Sequence, residues 1–193
     1  MQDQGDRDFR LPCPLLSVEL FNRISLDLKQ WATAFAPLYS RKWDYESLEF
    51  FSASFICIQA LSSDLTLRGM HFGEKGLRTK KVEKLAERIV NVARLIVSNR
   101  LFHKKFTCET GIIAALCSVV FVCRDREIRW SAVDVIRSTV PRREGVWDSK
   151  LTLQICEDVL NQEEEDDMPF LVFRSLDAFA IRFGKPPTTK VDE

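Results

Sequence analysis

The sequence predicts an all-α fold, an irregular bundle of about seven helices arranged as stacked helical hairpins. Three observations support this prediction. Apolar residues recur every three to four positions in successive segments, which is the period of an amphipathic helix. The seven glycines are clustered and leave long uninterrupted stretches, whereas a β architecture needs frequent turns. No segment alternates apolar and polar residues in the way that a half-buried strand does.

The N-terminal half contains three predicted helices. The first runs from Leu15 to Phe35 and is expected to stop at Pro37, because proline disfavours helical backbone in the residue before it. The second runs from Leu48 to Leu67, and the glycine-rich stretch over 69–76 is predicted to form a loop after it. The third has the clearest pattern, since its apolar face recurs at helical spacing from Val82 to Ile96.

Four more helices are predicted in the C-terminal half. The segment Glu109–Cys123 is apolar nearly all round, which is typical of a helix at the centre of a bundle. A shorter amphipathic helix begins at Asp125 and ends at Pro141. The next runs from Trp147 to about Glu163, and the last is opened by Pro169 and ended by Gly184.

Length, composition and charge indicate one globular domain that does not itself bind nucleic acid. The chain has 193 residues, of which 46% are hydrophobic and 29% are charged. We expect a single helical domain over 15–184, a disordered lead-in over 1–14 and a disordered tail over 185–193. The 28 basic residues balance the 28 acidic ones, whereas a domain that binds DNA through its phosphates usually carries a basic surplus.

The chain has no predicted membrane span or secretory signal. Its longest apolar run, Ile112 to Cys123, is shorter than the roughly 20 residues that a bilayer requires. The polar and acidic N-terminus is unlike a secretory signal. The expected location is the nucleus, with the cytoplasm as the alternative.

The cysteines and histidines do not form a metal-binding or catalytic pattern. The six cysteines are Cys13, Cys57, Cys108, Cys117, Cys123 and Cys156. No C-x-x-C pair occurs, so the strong zinc spacing is missing. Small buried hydrophobes in a reducing compartment are the favoured interpretation of these cysteines, and disulfides are the alternative. His103 and Cys108 are five residues apart, off the shared face of a helix, so we predict no catalytic, cofactor-binding or metal-binding residue.

Four segments resemble, in the same order, blocks of one protein family. They are WATAFAPL over 31–38, FTCETGII over 106–113, CRDREIRW over 123–130 and PRREGVWDS over 141–149. These segments are similar to the blocks W-x-x-A-F-x-P-L, E-x-G-I-I, C-R-D-x-x-I-R and R-R-E-G-x-W-D-S near the C-terminus of many fungal zinc-cluster transcription factors. The resemblance spans roughly residues 25 to 165.

The resemblance implies a regulatory domain that acts through protein contacts or through a response to a small-molecule effector. In that family a cluster of six cysteines reads DNA, and the scattered cysteines of this chain lack its paired spacing, so DNA binding is not carried over. The implied partner is a protein such as a full-length zinc-cluster transcription factor. A small enzyme of a fungal metabolic gene cluster is the first alternative, and a structural interaction protein outside transcription is the second.

The motif residues are predicted to hold the fold, with contact to a ligand or partner as the alternative. They are Glu109, Gly111, Cys123, Arg124, Asp125, Arg142, Arg143, Glu144, Gly145, Trp147 and Asp148. Asp125 is expected to cap a helix N-terminus and Gly145 to adopt a positive φ. Trp147 is expected to anchor the following helix in the core, and Asp148 or Ser149 to cap that helix.

Overall fold

The computed structural model describes residues 17–77, 79–103, 106–107 and 111–166. Its elements, in chain order, are α1 (Val18–Tyr39), α2 (Leu48–Leu77), α3 (Lys80–Ser98), a 3₁₀ helix (Arg100–His103), β1 (Phe106–Thr107), α4 (Ile112–Val122), α5 (Arg126–Ser138), β2 (Arg143–Glu144), β3 (Trp147–Asp148) and α6 (Ser149–Asp166). The all-α fold class is therefore confirmed. The helix predicted from Pro169, the lead-in over 1–14 and the tail over 185–193 lie outside the described residues.

Helix α4 forms the centre of the core, as its nearly all-apolar sequence predicts. Its buried side chains are Ile112, Ile113, Ala115, Leu116, Cys117, Val119, Val120 and Val122. Helices α2, α3, α5 and α6 all pack against it. Each large aliphatic side chain that is fully buried contributes about 1.5–3 kcal/mol of hydrophobic stabilisation. Helix α4 therefore contributes much of the core, although one of its faces is only half-buried.

Helices α3 and α5 each bury one apolar face and begin at a capping side chain. In α3, the buried positions recur at helical spacing from Val82 to Ile96, as predicted. The Thr79 hydroxyl accepts a hydrogen bond from the backbone N–H of Val82 at 3.4 Å. Asp125 accepts from the backbone N–H of Ile128 at 2.9 Å, which confirms the predicted cap of α5. Such caps satisfy N–H groups that the first helical turn cannot bond internally.

Helix α1 does not stop at Pro37, so that prediction was wrong. The helix continues to Tyr39, with Pro37 inside its last turn. A proline this close to the end removes one backbone donor, but later groups still bond: the Ser40 N–H donates to the Ala36 carbonyl at 2.9 Å. The Trp43 indole N–H also donates to the Leu38 carbonyl, at 2.9 Å, and so binds the end of the helix.

The predicted loop over 69–76 is also wrong, because α2 continues through it to Leu77. Gly69 instead lies where α2 packs closely on α4: a Cβ at this position would be 3.1 Å from Cγ2 of Val122. The part of α2 from Leu48 to Gly69 is long and apolar enough to cross a membrane by length and composition. A core helix meets the same criteria, and α2 packs against α1, α3 and α4.

A small three-stranded sheet joins the C-terminal segments to the start of α4. Strand β2 lies in the middle, parallel to β1 and antiparallel to β3. Trp147 pairs with Glu144 in this sheet, so α6 begins two residues later than predicted, at Ser149. The indole is partly buried and packs against the hydrophobic core. Trp147 therefore anchors the segment that leads into α6.

A buried ion pair as the candidate functional site

The candidate site lies where β2 meets the N-terminus of α4, because it joins residues from two of the motif blocks. Glu144 has no exposed surface, and Arg142 is only 7% exposed. The Arg142 Nε–H donates to Oε1 of Glu144 at 2.7 Å. The second carboxylate oxygen, Oε2, accepts the backbone N–H of Ile113 at 2.8 Å. Glu144 thus binds an arginine and the first turn of α4 at the same time.

The Glu144 carboxylate takes the place of a conventional helix cap. Gly111 occupies the N-cap position of α4 and has no side chain to accept the first-turn N–H groups. A carboxylate at this end of a helix is favourable, because the helix dipole places partial positive charge there. A Cβ at Gly111 would overlap the Glu144 carboxyl group. The Gly111 carbonyl accepts the Gln59 side-chain amide at 2.7 Å, which connects the corner to α2.

Arg142 connects the ion pair to two further elements. Its guanidinium carbon lies 4.0 Å from the centre of the Phe102 ring, in a cation–π contact. Its Nη1 donates to the Phe102 carbonyl at 3.1 Å. Its backbone N–H donates to the Ser149 hydroxyl at 2.8 Å, and the Ser149 N–H donates back to the Arg142 carbonyl at 2.9 Å. Arg142 therefore joins the 3₁₀ helix to the start of α6.

The bend between β2 and β3 has the backbone that its sequence predicts. Gly145 has a φ of 56°, in the left-handed region, which confirms the expected positive φ. Arg143 is exposed on β2. The Asp148 carboxylate accepts the backbone N–H of Leu151 at 3.0 Å, so Asp148 is the side chain that caps α6.

The Cys-Arg-Asp block forms the corner between α4 and α5. Cys123 is fully buried, and Arg124 and Asp125 are half-buried. Arg129, one turn into α5 and only 5% exposed, donates from Nε to the Val120 carbonyl at 2.8 Å. A cation beside the last carbonyls of α4 is favourable for the helix dipole. Glu109, the remaining motif residue, lies outside the described residues.

The cysteine side chains in the described part of the chain are buried thiols. Cys57, Cys117, Cys123 and Cys156 are free and buried, which confirms the predicted burial of these four. Burial raises the pKa of the Cys123 thiol to about 11. A hydrogen bond with the Cys156 thiol, together with burial, raises the pKa of Cys117. The thiolate is the reactive form of a cysteine, so the raised pKa values make these thiols less reactive. Cys13 and Cys108 lie outside the described residues.

The motif blocks contain both residues of the ion pair, but the sequence did not predict which other residues contact the pair. Phe102 lies outside all four motif blocks, 40 residues before Arg142. No local pattern links positions so far apart, so only the folded chain shows their contact. The sequence also predicted that the central helix begins at Glu109, whereas α4 begins at Ile112, directly after Gly111. Among the described residues, no group of three or more histidine, cysteine, aspartate or glutamate side chains is placed to hold a metal ion.

Comparison with known proteins gives one informative match. Over 69 residues, the chain is 39% identical to the aspercryptin biosynthesis cluster-specific transcription regulator atnN of Emericella nidulans. The aligned part is 34% of this chain and 11% of that regulator's length. No family model matches the chain. No solved structure matches it either. The chain is therefore similar, over part of its length, to a fungal regulator of transcription.

Proposed function

We propose that this helical domain regulates transcription in the nucleus through contacts with another protein or through a response to a small-molecule effector, without binding DNA itself. The observation that carries the proposal is the 39% identity over 69 residues to a cluster-specific transcription regulator. The four motif blocks, which resemble the C-terminal region of fungal zinc-cluster transcription factors, support it.

Two arginines of the motif blocks are not available for DNA contacts. Arg142 and Arg129 are buried and hydrogen-bonded inside the fold, so neither is placed to reach a phosphate. Large apolar side chains are exposed on either side of the turn between α1 and α2, at Leu38 and Leu48. Exposed apolar side chains of this kind are available to a protein partner.

A tethering experiment tests the proposed function. The 193-residue chain is fused to a bacterial DNA-binding domain, and a reporter gene carries the matching operator. We expect the fusion to change reporter output severalfold relative to the DNA-binding domain alone. The matched control is a fusion with Leu116→Asp, which places a charge in the centre of the core and should abolish the effect. A folded wild-type fusion that leaves the reporter unchanged would refute the proposal.

A second measurement addresses the DNA and protein contacts separately. In a gel-shift titration, the isolated chain is expected to leave DNA from target promoters unshifted at physiological salt. Affinity purification from nuclei is expected to recover a zinc-cluster transcription factor together with the chain. A shift of promoter DNA by the purified chain alone would contradict the assignment of DNA binding to the partner.

A further inference from the structure

A cleft opens where the turn between α1 and α2 meets the C-terminal end of α3. Its volume is about 390 Å³, within the range of about 300–1,000 Å³ that small-molecule sites occupy. The residues that matter for its chemistry are Tyr45, Glu46, Phe50, Leu95, Asn99 and Arg100. None of them belongs to the motif blocks, so the site already described does not account for this cleft.

Asn99, a buried residue that lines the cleft, holds two neighbouring segments together. The Asn99 side chain is 7% exposed, and its Nδ2 donates to the Tyr45 carbonyl at 2.6 Å. Its Oδ1 accepts the backbone N–H of Leu101 at 2.9 Å. These bonds tie the turn before α2 to the segment after α3. The two walls are therefore held in place before any ligand arrives, which lowers the cost of ordering them on binding.

The walls expose apolar surface that the fold does not cover. Phe50 is buried, and the Tyr45 ring lies edge-on to it with ring centres 5.0 Å apart. Tyr45 nevertheless remains 70% exposed, and Leu95, which also lines the cleft, remains 43% exposed. A flat apolar group that covers both would remove their surfaces from water, which is favourable in proportion to the area covered.

The rim of the cleft carries a loosely held guanidinium group. Arg100 Nη1 lies 3.5 Å from a carboxylate oxygen of Glu46, and both side chains are about two-thirds exposed. This separation is longer than a charge-assisted hydrogen bond of good geometry, which is about 2.7–2.9 Å. An exposed pair of this kind contributes little to stability. A ligand carboxylate can therefore replace Glu46 at little cost and bind the guanidinium with two parallel hydrogen bonds.

We propose that this cleft is the effector site of the domain and that it takes a small amphipathic carboxylate with a flat apolar body. The effector role rests on the proposed regulatory function, whereas the binding itself does not. The apolar body covers Tyr45 and Leu95, and the carboxylate pairs with Arg100.

The cleft is joined by hydrogen bonds to the buried ion pair. The Phe102 N–H donates to the Asn99 carbonyl at 2.9 Å, and the Phe102 carbonyl accepts Nη1 of Arg142 at 3.1 Å. Arg142 in turn binds Glu144, which caps α4. The segment that lines the cleft is therefore hydrogen-bonded to the motif-bearing corner.

Binding is tested with naphthylacetate and with its uncharged analogue, naphthylacetamide, by two-dimensional amide NMR on the full chain. We expect saturable shifts at Tyr45, Leu95 and Arg100 with naphthylacetate. The amide should bind about five- to tenfold more weakly, as the loss of one charge-assisted contact at a partly exposed site predicts. Equal affinity for the two probes, or shifts spread away from the cleft, would overturn the proposal.

Two charge-removing variants locate the contact. Arg100→Gln should weaken naphthylacetate binding about five- to tenfold and leave the binding of naphthylacetamide unchanged. Arg94→Gln removes an exposed arginine outside the cleft and should leave both affinities unchanged. An equal loss in the two variants would show a general charge effect and overturn the assignment. If the tethered reporter responds but no probe binds, the cleft proposal alone fails. If the probes bind but the reporter is unchanged, the regulatory function fails, and the effector role fails with it.

Discussion

Glu144 connects the two motif blocks that meet between β2 and the N-terminus of α4. Its two carboxylate oxygens bind Arg142 and the N-terminus of α4, and it is fully buried. Removing one partner of a buried pair costs more than the pair contributes, because a charge is then left without compensation in a medium of low polarity.

The Glu144→Gln variant should be about 3–5 kcal/mol less stable than the wild type. The amide keeps the shape of the side chain, but the buried guanidinium of Arg142 loses its counter-charge. Urea unfolding followed by circular dichroism measures the change. Arg143→Gln, at the exposed neighbouring position, is the control and should change stability by less than about 0.5 kcal/mol. Similar small losses in both variants would show that the ion pair is not important for stability.

Gly111→Ala should destabilise the domain by about 1–3 kcal/mol, because the added methyl group overlaps the Glu144 carboxyl group. The overlap forces Glu144 away from the Ile113 N–H. The same substitution in a Glu144→Ala background has room for the methyl group, so its cost should fall close to zero. A double-mutant cycle by thermal unfolding measures this coupling. Equal costs in the two backgrounds would contradict the predicted contact.

At the level of single residues, the sequence predicted local conformation better than long-range contact. Asp125 as a cap and Gly145 with positive φ were predicted from residue chemistry alone, and both are confirmed. The partners of Arg142 were not predicted, because Phe102 comes from a distant segment that carries no motif. That the motif residues hold the fold, with contact to a ligand or partner as the alternative, stays a prediction.

At the level of elements, periodicity located the helices, but tertiary packing set their ends. α3 was the most regular pattern and has the clearest buried face. The proline and glycine signals over 37 and 69–76 were overridden, since α1 and α2 continue through them. The start of α6 was displaced because Trp147 pairs in a sheet that is too short to leave an alternating pattern.

The side chains of α1 should contribute unequally to the stability of the domain. Phe21 is the buried residue of this helix, whereas Trp31 is 38% exposed. The helical spacing of apolar residues predicted Trp31, and not Phe21, on the inward face, and this was wrong. We expect Phe21→Ala to cost about 2–4 kcal/mol and Trp31→Ala to cost less than about 1 kcal/mol. Chemical denaturation of the two variants compares them directly. A larger loss for Trp31→Ala would mean that α1 packs through the other flank.

At the level of the whole molecule, the core buries cysteine thiols in their protonated form. The stability of the fold therefore depends on pH in the alkaline range. Burial raises the pKa of Cys123 from 9.0 to about 11. The unfolded chain therefore loses this proton first, so stability falls as the pH rises from about 9 towards 11. At pH 11, the loss of stability that is due to Cys123 should be roughly 2 kcal/mol. Cys57 and Cys117 shift in the same direction and add to the loss.

Cys123→Ala provides the control for this pH dependence. The variant should be less stable than the wild type at neutral pH, but its stability should fall less steeply between pH 9 and pH 11. Equilibrium unfolding at several pH values measures both slopes. Identical slopes would show that the Cys123 thiol titrates alike in the folded and unfolded chains.

We propose that this chain is a regulatory domain of transcription whose motif residues serve the fold. The most direct test is the tethered reporter driven by the Glu144→Gln fusion, with the folded fraction measured at several temperatures. We predict that reporter output follows the folded fraction and equals that of the wild type wherever the variant is fully folded. A fully folded variant with no reporter output would contradict this claim, because the buried pair would then have a role in regulation beyond holding the structure.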